Sequence, residues 1–224
     1  MADAGASAGV SLPSSVSGII FDMDDTLVDS ERAWIAAELR LRAAHGVAGS
    51  AAEVGGTMQG IIEGIANEAP GLSASELEAQ YLELLQEELA DAIVPMPGAA
   101  EFLDRLASAV PAIPLAVASN SPTDIVRYVI GTLGWEHRFQ AMLGVDDVEH
   151  PKPAPDLYLL AAERIGADAA QCVVFEDSFT GATAAKAAGA FTVAVGEGAS
   201  RVADLHVTGL GSPQITSWFP TRVS

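Results

Sequence analysis

Gly18-Ile19-Ile20-Phe21-Asp22-Met23-Asp24-Asp25-Thr26-Leu27-Val28-Asp29-Ser30 is the stretch that decides how the chain folds. Ile19, Ile20 and Phe21 are apolar without alternation, the pattern of a short strand covered on both faces in a parallel sheet. The run stops at Asp22, and Asp24 follows. Asp is a common turn residue, but the carboxyl ends of strands are also where open α/β sheets form their ligand crevice. Two carboxylates at that place mark a candidate site.

Outward from this strand, Trp34, Ala37, Leu41 and Ala44 predict a helix over 31–45, stopped at Gly46. A second helix is expected over 57–68, ended by Pro70-Gly71. A third opens at Ser73 with Glu76 three residues on, a capping box, and carries Leu77, Tyr81, Leu84 and Leu85 as one apolar stripe. After Pro97-Gly98 the order is helix 99–108, strand 114–118, helix 123–133, strand 141–145, helix 157–165, strand 172–175, helix 181–188, strand 191–195 and a short strand 204–207. Such repetition implies a Rossmann-like α/β fold, a mainly parallel sheet with helices on both faces. Residues 31–95 interrupt it with helix alone and read as a small inserted all-helical cap domain, leaving 17–30 and 96–224 as the core domain. Residues 1–16, rich in Ala, Gly and Ser with almost no charge, read as a flexible tail.

The 224 residues suffice for one good core and a small insertion. With 30 acidic residues against 11 basic ones, the net charge of −19 repels phosphate backbones and anionic lipid, so neither nucleic acid nor membrane is an expected partner. A single cysteine, Cys172, excludes an intrachain disulfide and packs as a small hydrophobe. The uncharged runs 4–21 and 106–123 are Gly/Ser-rich or broken by Pro111, Pro114 and Pro122, which fits neither a signal peptide nor a spanning helix. A cytoplasmic protein is expected, with a monomer as the default.

Three strand ends carry polar residues that complement one another: Asp22 and Asp24, Ser119 and Asn120, Glu176 and Asp177. Lys152 sits in the loop His150-Pro151-Lys152-Pro153 and is one of only two lysines in the chain, the other being Lys186. In a parallel sheet these ends share one edge. Carboxylates gathered there repel and raise one another's pKa unless a cation lies among them. Mg²⁺ on oxygen ligands resolves the repulsion and leaves room for water and a phosphate oxygen.

The strand, Asp-x-Asp, Thr26 and the Leu-Val-Asp-Ser continuation, followed in order by Ser119, Lys152 and Glu176-Asp177, resemble the haloacid dehalogenase superfamily across residues 19–178. The resemblance is to its β-phosphoglucomutase-like phosphatases with a helical cap. It implies Asp22 as nucleophile and Asp24 as general acid/base, with Ser119 and the Asn120 backbone amide binding the phosphoryl group and Lys152 balancing its charge. It further implies Mg²⁺ on Asp22, the Asp24 carbonyl, Asp177 and Glu176. Thr26 and Ser30 fit a role in fixing the turn and the acid's orientation. The chemistry is coherent, since phosphoryl transfer needs an in-line nucleophile, charge neutralisation and a proton for the leaving oxygen.

Other activities of that superfamily fit less well. A carbon–halogen dehalogenase needs neither Asp24 nor a metal site, and a phosphonatase needs a cap lysine, of which residues 31–95 have none. A β-phosphoglucomutase is the alternative, but it has a histidine where this chain has Trp34 and a cap arginine near Met58 of Gly55-Gly56-Thr57-Met58. A non-catalytic phosphometabolite sensor would not need the full catalytic set. The cap's basic residues are Arg32, Arg40 and Arg42 alone, all on its first helix, so it offers no obvious clamp for a second anion. The expected activity is Mg²⁺-dependent hydrolysis of a small phosphate ester of the sugar or nucleoside monophosphate type.

Overall fold

The computed structural model describes residues 10–48, 58–69, 71–109 and 112–222. Along the chain lie β1 (Ser15–Val16), β2 (Gly18–Phe21), β3 (Val28–Asp29), α1 (Glu31–Ala44), α2 (Met58–Glu68), α3 (Ala74–Ala92), β4 (Val94–Pro95), α4 (Ala99–Ala107) and β5 (Leu115–Ala118). There follow α5 (Thr123–Thr132), β6 (Ala141–Leu143), α6 (Asp156–Arg164), β7 (Cys172–Glu176), α7 (Phe179–Ala187), β8 (Phe191–Val195), β9 (Leu205–Val207), α8 (Pro213–Thr216) and β10 (Thr221–Arg222). Six strands form a parallel sheet in the order β6-β5-β2-β7-β8-β9. The chain leaves β2 for β5 and β6 on one side, then crosses back to β7, β8 and β9 on the other. The switch in direction puts the crevice at the carboxyl end of β2.

Successive residues of β2 enter opposite cores, which is why the run does not alternate. Ile19 and Phe21 join Val117, Phe175, Phe102 and Trp218 on one face. Ile20 joins Ala116, Ala118, Val174, Tyr158 and the alanines of α6 and α7 on the other. Phe21 stacks on Phe175 with ring centroids 5.2 Å apart and meets Phe102 edge-on at 5.8 Å. Bulky rings fill one layer, and small side chains let α6 and α7 lie close to the sheet on the other.

Between β3 and β4, which pair antiparallel with Val28 opposite Pro95, come α1, α2 and α3. The Ser73 capping box is formed: Ser73 Oγ accepts from the Glu76 amide at 3.2 Å, and Glu76 accepts from the Ser73 amide at 3.1 Å. The buried stripe of α1 keeps Ala37 and Leu41 of the expected one and differs from it at the two ends. Ala33, Ala37 and Leu41 repeat every fourth residue on the face packed against α3, whereas Ala44 is exposed and Trp34 half-buried. On α3 the buried stripe is Leu77, Tyr81, Leu85 and Leu89, with Leu84 at its border.

The expected tail is corrected in part. Its residues 1–9, like Gly55-Gly56-Thr57 and Pro70, lie outside the described residues. The carbonyl of Pro13 accepts from Trp218 Nε1 at 2.7 Å, and Ser14 O accepts from the Thr221 amide at 2.9 Å, so the segment up to Val16 is tied into the fold beside β10. Strands of two residues have no periodicity to read, and β1 and β10 leave no trace in the pattern. No helix among the described residues is long and apolar enough to cross a membrane.

The close approach of α7 is testable. Ala185 is fully buried on the small-residue face. Ala185→Leu adds hydrophobic volume yet should destabilise the protein by about 2 kcal/mol through overpacking, read from the urea midpoint. An unchanged or higher midpoint would contradict this packing.

Candidate active site

At the end of β2 the Asp22 amide donates to Phe175 O at 2.9 Å, which continues the ladder with β7 and fixes where the Asp22 side chain begins. Lys152 Nζ donates to Asp22 Oδ1 at 2.6 Å and to Glu176 Oε1 at 2.7 Å. The ion triad is buried, with 6% of Asp22, 5% of Lys152 and 1% of Glu176 exposed. The same ammonium lies 4.8 Å from the centroid of the Tyr158 ring.

Glu176 is fully engaged by the protein. Oε1 accepts from Lys152 and, at 3.0 Å, from Tyr158 OH; Oε2 accepts from the amide and hydroxyl of Ser178 at 2.8 and 2.9 Å. The resemblance places Glu176 among the metal ligands, whereas here its oxygens are turned to these protein donors. A carboxylate offers about four acceptor positions, and these donors use them. Its part in this structure is to hold Lys152 against Asp22.

The carboxylate of Asp24 is gripped from two sides. Oδ1 accepts from Ser30 Oγ at 2.6 Å and from Trp34 Nε1 at 3.0 Å, both at the start of α1. Oδ2 accepts from Ser119 Oγ at 3.0 Å and Ser121 Oγ at 2.7 Å, both in the loop after β5. The Asn120 side chain joins that loop to the lysine loop, donating to Lys152 O at 3.2 Å and accepting from the Lys152 amide at 3.0 Å.

Asp177 follows β7, and Thr26 Oγ1 donates to its Oδ1 at 3.3 Å. Burial pushes its carboxyl up to about 7, helped by the negative charges of Glu176 and Asp25. Burial also drives Asp22 well above the usual carboxylate range, with Lys152 pulling it back and Glu176, Asp177 and Asp24 adding to the rise. Burial disfavours the charge on Lys152, but the adjacent Asp22 and Glu176 more than offset this and keep it protonated. Two buried carboxylates whose charge is unfavourable as they stand suit a hard cation. Among the described residues no group of three or more His, Cys, Asp or Glu is arranged to hold a metal. A cation at this edge could rest on Asp22, Asp177, the Asp24 carbonyl and water, a donor set of oxygens alone that fits Mg²⁺.

The structure thus brings Asp22, Asp24, Ser119, Asn120, Lys152, Glu176 and Asp177 to one sheet edge. Sequence reasoning missed Ser121, Tyr158 and Ser178, and read Trp34 as a member of a helical stripe. Ser121 and Ser178 carried a signal, as parts of the Ser119-Asn120-Ser121 and Glu176-Asp177-Ser178 runs at strand ends; Tyr158 carried none.

A family model described as haloacid dehalogenase-like hydrolase matches residues 16–189. Fructose-1-phosphate phosphatase YqaB of Escherichia coli is 36% identical, over 77% of this chain and 92% of that protein. Hexitol phosphatase A of the same organism is 33% identical, over 80% and 82%. Among solved structures, CbbY of Rhodobacter sphaeroides in complex with phosphate superposes with a TM-score of 0.77 at 25% identity, covering 88% of this chain and 96% of that one.

The packing around Glu176 yields a prediction of unusual sign. A Cβ at Gly181 in α7 would overlap the Glu176 carboxylate. Ala is the better helix former by about 1 kcal/mol, yet Gly181→Ala should lower stability and reduce turnover by at least about tenfold, because the displaced Glu176 carries Lys152 with it. Urea unfolding and phosphate release decide. A stabilised, fully active variant would contradict the anchoring role of Glu176.

Proposed function

The chain belongs to the haloacid dehalogenase-like hydrolases, in their phosphatase branch, and from that premise we propose that it hydrolyses the phosphate monoester of a neutral, hydroxyl-rich alcohol through an aspartyl phosphate on Asp22. The observation that carries this reading is the buried ammonium of Lys152 on Asp22, with the clasped carboxylate of Asp24 beside it at the same strand end.

In the first step a carboxylate oxygen of Asp22 attacks phosphorus, and the bond from phosphorus to the ester oxygen breaks. The departing electron pair takes a proton from Asp24. In the second step Asp24 takes a proton from water, the water oxygen attacks the aspartyl phosphate, and Asp22 leaves as carboxylate. Lys152 offsets charge where the nucleophile meets the phosphoryl group, and Ser119 with the Asn120 amide would bind its oxygens. Asp22, Asp177 and the Asp24 carbonyl would hold Mg²⁺, which when bound neutralises negative charge on the phosphoryl oxygens.

The nature of the alcohol is inferred from the cap. A cavity of about 440 Å³ opens between α2, the start of α3 and the loops carrying Asn120 and Pro151. Gln59, Glu63 and Glu78 are its polar lining on the cap side, with no Lys or Arg among the described residues that line it. Arg40 is paired with Glu87 and Glu88, and Arg42 with Glu38 and Glu68. Such a wall disfavours a second anionic group and suits hydroxyls. The names of the fructose-1-phosphate and hexitol phosphatases support the same class. Trp34, bound to Asp24, stands where the mutase has a histidine, which tells against the mutase alternative.

Three outcomes are expected. Asp22→Asn should keep its circular dichroism and lose phosphate release, whereas substantial turnover would reject covalent catalysis on Asp22. Excess chelator should stop catalysis and Mg²⁺ restore it; full activity in chelator would reject the metal. In a panel of phosphate esters, sugar and nucleoside monophosphates should give the highest kcat/KM, and preference for phosphoglycolate or a bisphosphate would overturn the assignment of the alcohol.

A further inference from the structure

General acid catalysis requires Asp24 to present one chosen oxygen to the leaving group, and the donors around its carboxylate are not equivalent. Ser119 and Ser121, on Oδ2, are hydroxyls that can turn and accept as well as donate. On Oδ1 the hydroxyl of Ser30 can turn in the same way, but Trp34 is an indole N–H that can only donate, so the indole is what distinguishes the two oxygens. A proton on Oδ2 finds a serine oxygen or a leaving oxygen to accept it with no fixed donor opposed, while a proton on Oδ1 would leave the indole N–H on a hydroxyl oxygen, a weaker acceptor, whichever way Ser30 turns. This selection follows from donor type and position.

Trp34 is itself held in place by the helices around it. Its carbonyl accepts from Tyr81 OH of α3 at 3.2 Å, its amide donates to Ser30 O at 3.2 Å, and its ring lies 5.8 Å from that of Tyr81. Tyr81 is fully buried. The packing of α3 on α1 thus fixes the indole, and the indole fixes Oδ1.

We propose that Trp34 is a positioning residue for the phosphoryl-transfer chemistry. It pins Oδ1 so that Oδ2, on the side of Ser119 and Ser121, is the oxygen that gives the proton to the leaving alcohol and takes it from water. The proposal rests on the assignment of Asp24 as acid and base. It assigns Trp34 no contact with the reacting atoms.

A series of substituted phenyl phosphates tests this, because its members share a shape and differ in how much they need the proton. In kcat/KM, which reports the step that expels the phenol, Trp34→Phe should cost the poorest leaving group about ten- to hundredfold and the best less than about threefold, the scale of one hydrogen bond to a charged group. The plot against leaving-group pKa steepens accordingly. Trp34→His, which can donate again, should recover part of the original slope. Replacing the indole of Trp34 by the isosteric benzothiophene removes the N–H at nearly constant shape and should steepen the plot as Trp34→Phe does, which keeps the test valid if the phenylalanine packs badly. A uniform loss across the series, as a substrate contact or a general structural role would give, overturns the proposal, and so does an unchanged slope. If Asp24→Asn steepens the plot and the Trp34 variants do not, the inference on Trp34 alone fails. If Asp24→Asn leaves the slope unchanged, the acid role of Asp24 fails instead.

Discussion

The ammonium of Lys152, buried between Asp22 and Glu176, is the interaction on which the site depends. An ion pair taken out of water is held best where its remaining polar positions are satisfied, as those of Glu176 are. Tyr158 and Ser178 fill Glu176, and the Asn120 side chain locks the backbone of Lys152. Three segments far apart in sequence are thereby held at one sheet edge with their charges opposed. The arrangement makes a poor stabiliser but a rigid support for Asp22, since removing Lys152 strands two buried carboxylates.

Asp24 stands two residues from this triad and receives donors from both the core and the inserted helices. Proton transfer to a departing oxygen is sensitive to direction. A carboxylate free to rotate would expose either oxygen. Held by Ser30 and the indole of Trp34 on one side and by two serine hydroxyls on the other, it has one oxygen with a donor that cannot reverse and one without. The first of the helices inserted between β3 and β4, with its N-cap Ser30, therefore supplies two of the four side-chain donors on Asp24. The acid-rich wall of these helices, and the pairing of Arg40 and Arg42 with acids, then bear on which alcohol can leave.

The sheet was legible because a doubly covered strand is written as an unbroken apolar run, as in Ile19-Ile20-Phe21 and Cys172 to Phe175, and its polar end marks the crevice. Residue types with one chemical use, such as a lone lysine between prolines, were legible for the same reason. What the pattern could not supply was partnership. Glu176 reads as a carboxylate beside Asp177, and only the fold shows that Lys152, Tyr158 and Ser178 take its oxygens. Trp34 reads as one member of an amphipathic stripe with Ala37 and Leu41, but at the first turn of α1 it is Ala33 that is buried, and the indole meets Asp24 instead. A shift of one residue around a helix is within the ambiguity of hydrophobic spacing, and here it carries a functional group with it.

The central claim is that Asp22, with Lys152 on it, attacks phosphorus and becomes covalently phosphorylated. Acid quenching of the enzyme during turnover of a sugar monophosphate, followed by mass spectrometry of its peptides, measures this directly. A mass increase of one phosphoryl group on the peptide carrying Asp22, released by hydroxylamine, is the result predicted. Steady phosphate release with no such adduct, or with the phosphoryl group on another residue, would contradict it.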